Sequence, residues 1–241
     1  MTTLSPFHNT LLGYQGQLYL LTYWSTLRRV LGIPLSRLVK GIPILLAFAA
    51  LLWVGSLPLF YLFAGLALFI QLGYWYAKRQ SYNTFVADPI SLPADDALES
   101  LPANRRIPLS ATGIFSLNDR EESVLLAKAE YWYVPLGEHI IMVEQVKDHY
   151  LYQFFNAKTI QKVEHGWLVF GKTPHRSLAL TFQLNWGPEF ADGGALYFVR
   201  GDEKAPRARQ RTVYFSFENE GDLTAVYHTI IHDARLLRQQ Q

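Results

Sequence analysis

Hydrophobic and polar positions change rhythm twice along the chain. From Gly41 to Ala77, 37 consecutive residues carry no charge, and Gln71 is the only strongly polar side chain among them. As one straight helix this run would be about 55 Å long, too long for a hydrocarbon core of ~30 Å. Gly55-Ser56-Leu57-Pro58 interrupts it, and Pro58 cannot continue the hydrogen bonds of an incoming helix. The pattern predicts two helices, Ile42–Leu57 and Leu59–Ala77, each just long enough to cross a bilayer. A hairpin that dips into one leaflet and returns is the alternative. A buried soluble hairpin would show polar faces, and this run has almost none.

Ahead of the run lies QLYLLTYWSTLRRVLGIP. Leu20, Tyr23, Trp24, Leu27 and Leu31 recur at helical spacing, whereas Thr22, Ser25, Thr26 and Arg29 fall elsewhere on the wheel. Gly32 and Pro34 end the segment. The expectation is an amphipathic helix lying at the membrane interface, with Arg28 snorkelling beside the apolar stripe. A helix packed on the soluble domain or on a partner is the other reading.

After residue 111 the rhythm becomes that of short strands. SVLLAKAEYWYV, HIIMVEQV, YLYQFF, TIQKVE, WLVFG, SLALTF, ALYFV and TVYFSF are rich in β-branched and aromatic residues, with Gly, Pro, Asn and Asp turn signals between them. Such spacing fits a sandwich or partly closed barrel. The chain then turns helical. Asn219 or Asp222 can cap this helix, and Leu223, Val226, Tyr227, Ile230, Ile231, Ala234 and Leu237 form one apolar stripe. The predicted organisation is an N-terminal segment (1–40), a helical hairpin (41–78), a Pro- and Asp-rich linker (79–110) and a β-rich domain (111–241).

Seven or eight strands closed by one amphipathic helix resemble a pleckstrin-homology-like (PH-like) domain, GRAM domains included. The passage that carries the resemblance best is TVYFSFENEGDLTAVYHTII. The fold class expected is therefore α+β, with a transmembrane hairpin and a PH-like barrel of 7–8 antiparallel strands. PH helices usually carry a tryptophan facing the barrel; here Val226 or Tyr227 stands in that region. This departure weakens any carry-over of phosphoinositide binding.

Charge settles orientation more than partners. Arg28, Arg29, Arg37 and Lys40 precede the hairpin, Lys78 and Arg79 follow it, and its turn has no charge. Positive flanks stay cytoplasmic, which predicts a multi-pass protein of the cytoplasmic membrane with both termini inside. Tyr74, Trp75 and Tyr76 are the expected aromatic belt, with Trp53 at the opposite interface and Pro58 at the turn. The net charge of +2 is too small to argue for nucleic acid. With no cysteine, disulfides, thiolate catalysis and Cys-based zinc sites are excluded. MTTLSPFHNT has no Lys or Arg before an apolar run, so it does not read as a secretory signal.

Four stretches invite a chemical reading. GWLVFGKT, residues 166–173, matches the phosphate-loop spacing. Yet Trp167, Leu168, Val169 and Phe170 prefer a strand, and no helical period follows Lys172. The expectation is turn–strand–turn, opened by His165-Gly166 and closed by Gly171-Lys172. His228 and His232 have the spacing of a helical metal pair, but the wheel places them opposite the apolar stripe, facing solvent or a partner. Arg200-Gly201-Asp202 reads as a glycine turn. The loop it opens holds Arg200, Lys204, Arg207, Arg209 and Arg211 against Asp202 and Glu203, a local charge of +3, and is the candidate for anionic headgroups.

No nucleophile elbow or grouped acid–base set stands out. The sequence therefore predicts a non-enzymatic, membrane-anchored interaction or scaffold protein, needing no cofactor, whose β-domain engages a protein partner or helps assemble a membrane complex. Recognition of anionic lipid through residues 200–211 is the alternative. A nucleotide hydrolase using Lys172, or a metal enzyme using the two histidines, is the third reading.

Overall fold

The computed structural model describes residues 6–88, 101–102, 105–117, 120–134, 138–144, 150–156, 159–184 and 209–239. Their contacts divide into two compact units: residues 1–84 with 169–174, and residues 85–168 with 175–241.

Unit 1 holds three helices: α1 (Pro6–Leu27), α2 (Leu35–Leu52) and α3 (Leu57–Arg79). α1 begins earlier than the periodicity predicts and ends earlier too, at Leu27. The residues expected to be its last turn form a small ladder instead, β1 (Arg29–Val30) with β2 (Ile33–Pro34). The turn between them places Leu31 at φ 52° and Gly32 at φ 80°, a left-handed pair that suits a two-residue hairpin and not a helix. α2 therefore starts at Leu35, seven residues before the predicted Ile42, with Pro34 as its flanking residue. Pro43 sits inside α2, where it forfeits a single backbone bond. The expected break falls at residues 53–56, and Pro58 occupies the first turn of α3, where its missing N–H costs little.

Unit 2 is an eight-stranded antiparallel sheet with a closing helix. The strands are β3 (Thr84–Ala87), β4 (Arg106–Leu117), β5 (Arg120–Val134), β6 (Glu138–Glu144), β7 (Tyr150–Asn156), β8 (Ile160–Val169), β9 (His175–Leu184) and β10 (Arg209–Ser216), followed by α4 (Glu220–Gln239). Their order is β3-β8-β9-β10-β4-β5-β6-β7, with a further β4–β7 pairing that bends the sheet back on itself. Two of these strands, β3 and the start of β4, lie where a linker was expected. Pro108 disguises β4, but β10 pairs it only from Ser110 onward, so the proline stands beside one neighbour. Conversely, TIQKVE and WLVFG form one strand, and ALYFV lies outside the described residues.

The core gathers Ile107, Phe115, Tyr131, Ile141, Leu178, Phe182, Val213 and Phe215, with Leu223, Val226 and Ile230 of α4. Val226 thus enters the core on the side of α4 that meets the sheet. Asn219 caps α4, its Oδ1 accepting the Gly221 N–H at 2.9 Å. His139 is fully buried among rings: it stacks on Phe155 at 5.3 Å, and its Nδ1 shares a 2.6 Å hydrogen bond with the Tyr131 hydroxyl.

Candidate membrane interface

In unit 1 the usual relation between polarity and burial is reversed. Along α2 and α3 the large apolar side chains point outward: Phe48, Leu52, Leu62 and Phe69 are 54–75% exposed. The buried residues of the two helices are small, namely Ser36, Pro43, Ala47 and Ala50 of α2 and Ala67 and Ala77 of α3. In water the large residues would be buried and the surface polar. Small residues inside with large apolar ones outside is the arrangement that suits a lipid surround, where packing draws the backbones together. At 18 and 23 residues, α2 and α3 are long and apolar enough to cross a membrane.

α1 repeats the reversal. Leu11, Tyr14, Leu18, Leu21, Trp24 and Leu27 form an exposed apolar stripe. The opposite face is buried and carries Gly16, Tyr19, Thr22 and Ser25. This inner face is held by hydrogen bonds. The Gln15 amide donates to the Tyr19 hydroxyl at 2.6 Å and the Tyr76 hydroxyl at 3.1 Å, while the hydroxyls of Tyr19 and Thr84 share one at 2.9 Å. Ser25 and Tyr74 share another. Burial, opposed by the Thr84 hydrogen bond, raises the Tyr19 pKa above its ordinary value. Among the described residues the α3 partners in these hydrogen bonds are Tyr74 and Tyr76, both near the C-terminal end of that helix. At 22 residues α1 is about 33 Å long.

The residues 169–174 complete this unit. Val169 ends β8, Gly171 takes φ 83°, and β9 begins at His175. No helix starts at Lys172, whose side chain is exposed. The Gly171 amide donates to the Gly16 carbonyl at 2.9 Å, and Phe170 meets the edge of Tyr23. Gly166, expected in a turn, lies within β8. It is glycine because β3 passes so close that a Cβ would strike the Val86 carbonyl and the Ala87 Cα.

The expected anchor residues occupy distinct places. Trp53 is 88% exposed just beyond α2, while Trp75 and Tyr76 are exposed and Tyr74 half-buried near the end of α3. Three cations sit over rings at that same end: Arg28 over Trp24 at 3.4 Å, Lys40 over Tyr74 at 4.8 Å and Arg79 over Trp75 at 5.3 Å. Of the headgroup candidates, Arg200, Lys204 and Arg207 lie outside the described residues. Arg209 and Arg211 fall in β10, not in a loop.

Unit 2 brings together charges that the sequence scatters. Asp88 is almost wholly buried; it pairs with Arg176 at 3.1 Å and lies 4.0 Å from His165 Nδ1. Arg176 also stands 3.6 Å from Glu220 and over the Trp167 ring. These residues tie the end of β3 to β8, β9 and the start of α4. A cleft of about 640 Å³ runs beside the start of α4, lined by Arg106, Lys128, Glu130, Glu144, Glu218 and Asp222 among others. Arg106 is engaged there by Glu130 and the Trp132 ring.

The histidine pair departs from expectation. His232 is exposed, but His228 is buried. A segment before β4 also packs on α4, at the next residue: the Leu101 amide donates to Thr229 Oγ1 at 3.0 Å, and Leu101 itself joins the core. The wheel shows the stripe that faces the sheet but not this segment. Among the described residues no three His, Asp or Glu side chains gather to hold a metal ion. No family model matches the chain, and neither a curated protein nor a solved structure does.

Proposed function

We propose that this is a membrane-anchored, non-enzymatic interaction protein: α2 and α3 cross the bilayer, α1 lies at its surface, and the sheet domain engages a protein partner. One observation carries the reading. Most large apolar side chains of the three helices are exposed while Tyr19, Thr22 and Ser25 face inward, which suits lipid and not water. The sheet is read as PH-like. What supports this is the order β8-β9-β10-β4-β5-β6-β7, the return pairing of β4 with β7, and a helix whose Val226 enters the core.

An interaction role is favoured over an enzymatic one by the chemistry of the buried polar groups. Asp88 is engaged by Arg176, and His139 is locked between Tyr131 and Phe155. Each of these groups is held by its neighbours rather than presented to an open site.

Purification of the full chain from native membranes in mild detergent, followed by mass spectrometry and sizing, tests the function. A stoichiometric partner that stays bound through sizing is the expected result. A lone monomer with no companion would overturn it.

A further inference from the structure

The basic residues of the chain are unevenly placed. Six of the 22 Lys and Arg residues, and none of the 20 Asp and Glu residues, precede Asp88. The six are Arg28 and Arg29 after α1, Arg37 and Lys40 in the first turns of α2, and Lys78 and Arg79 in the last turn of α3. The fold draws these three ends together. The Leu35 amide donates to the Arg28 carbonyl at 2.8 Å, Ser25 bonds Tyr74, and Lys40 stands over the Tyr74 ring. Among the described residues none of the six forms an ion pair. At the other end of the hairpin, Trp53 to Ser56 carry no charge.

We propose that this end of unit 1 binds the headgroups of anionic phospholipids, with Arg28, Lys40 and Arg79 held ready on Trp24, Tyr74 and Trp75. The inference rests on the membrane reading above but assigns a site that residues 200–211 do not contain. A guanidinium held over a ring still carries N–H donors of the fork geometry that matches a phosphate. The ring limits where the long side chain can wander, so less freedom is lost when the headgroup arrives. With no carboxylate in the unit, its own formal charges at this end are all positive.

A lipid rather than a soluble anion is indicated by what stands beside the cations. Leu31, at the tip of the β1–β2 turn, is 97% exposed, and Val30 and Ile33 are 45% exposed on either side. Exposed apolar residues set among arginines suit the boundary between headgroups and acyl chains. A free phosphate would leave them in water.

The test uses the full chain in phosphatidylcholine vesicles with trace spin-labelled phosphatidylglycerol or phosphatidylcholine. Electron spin resonance then reads the motionally restricted fraction of each label. The restricted phosphatidylglycerol should exceed phosphatidylcholine by about threefold or more at low salt, and the ratio should fall toward one as salt is raised. The combined Arg28→Gln, Lys40→Gln and Arg79→Gln variant should lose the preference. Trp24→Leu with Trp75→Leu, which keeps every charge, should lose part of it. Equal restriction of both lipids by the wild-type chain, or a preference that survives both salt and the triple variant, would overturn the proposal. A chain that restricts neither lipid would instead overturn the membrane reading on which it rests.

Discussion

The amide of Gly171 donates to the carbonyl of Gly16 at 2.9 Å, so a turn between two strands closes on the middle of α1. The approach is closer than any side chain tolerates. A Cβ at Gly16 would meet the Gly171 carbonyl oxygen, the Gly171 amide and Val169, whereas one at Gly13 would find only the Lys172 carbonyl at 3.8 Å. Both glycines lie inside a helix, where alanine is intrinsically better by up to about 1 kcal/mol. Gly13→Ala should therefore hold or raise the melting temperature of the detergent-solubilised protein. Gly16→Ala should lower it, by an amount equivalent to about 1–3 kcal/mol of overpacking. Equal effects of the two substitutions would remove the contact from the account of stability.

That contact also explains the GKT end of GWLVFGKT. Gly171 is required for a left-handed turn, and Lys172 reaches solvent beyond it. Lys172→Met should leave the melting temperature unchanged within about 0.5 kcal/mol of stability. Mg-ATP should not shift the melting temperature of either protein, since no helix N-terminus stands behind the turn to hold phosphate. A nucleotide-dependent rise that Lys172→Met abolishes would restore the phosphate-loop reading.

The ion pair of Asp88 with Arg176 and that of Arg176 with Glu220 share a cation but not an environment. Asp88 is 4% exposed at the side chain and Glu220 is 50% exposed. Removing a buried partner strands the other charge away from water, whereas an exposed carboxylate is replaced by solvent. Asp88→Asn should cost about 2 kcal/mol or more in denaturant unfolding of the sheet domain, and Glu220→Gln less than about 1. A double-mutant cycle with Arg176→Met should show coupling to Asp88 and little to Glu220. Equal losses would place both pairs in the same dielectric and contradict the burial.

Alkaline pH should weaken the sheet domain through Tyr214. Burial first, and the Glu164 carboxylate second, raise its pKa above the ordinary 10.0. The folded state therefore keeps the phenol proton longer than the unfolded chain does. The stabilisation is complete below pH 10.0 and is lost as pH rises through the folded-state value. Chemical denaturation of the wild type should show stability falling in that window, and Tyr214→Phe should fall less steeply. Identical slopes for the two proteins would assign the alkaline loss to other groups.

The hairpin, its break and the final helix were legible because each rests on a local rule. The uncharged run, Pro58 at the start of α3 and Asn219 ahead of α4 act within one turn of themselves. What stayed hidden depends on distant partners. β3 is four residues long, and its place beside β8 is marked by a glycine that reads locally as a turn. His228 looks solvent-facing on the wheel, which does not show Leu101 packing on α4 at the next residue. The inner face of α1 was partly readable, since Gln15, Tyr19, Thr22 and Ser25 recur at helical spacing. Nothing local says that such a polar face is the buried one. In an aqueous frame the wheel is read the other way round, with the apolar stripe assigned to the inside.

The proposed crossing of the hairpin is open to a clean labelling test, because the chain has no cysteine to remove first. Val54 stands 66% exposed in the turn between α2 and α3, and Gln80 is exposed beyond α3. Phe69, 75% exposed near the middle of α3, points away from the rest of unit 1. In sealed vesicles of known orientation, a membrane-impermeant maleimide should label Gln80→Cys only from the cytoplasmic face and Val54→Cys only from the opposite face. Phe69→Cys should stay unlabelled from both sides, since the hydrocarbon excludes both the reagent and the thiolate it needs. In urea-containing detergent all three should react. Labelling of Val54→Cys from the cytoplasmic face, or from neither, would make the hairpin re-entrant. Labelling of Phe69→Cys in intact vesicles would take α3 out of the bilayer, and the outward-facing leucines and phenylalanines would then require a protein cover instead.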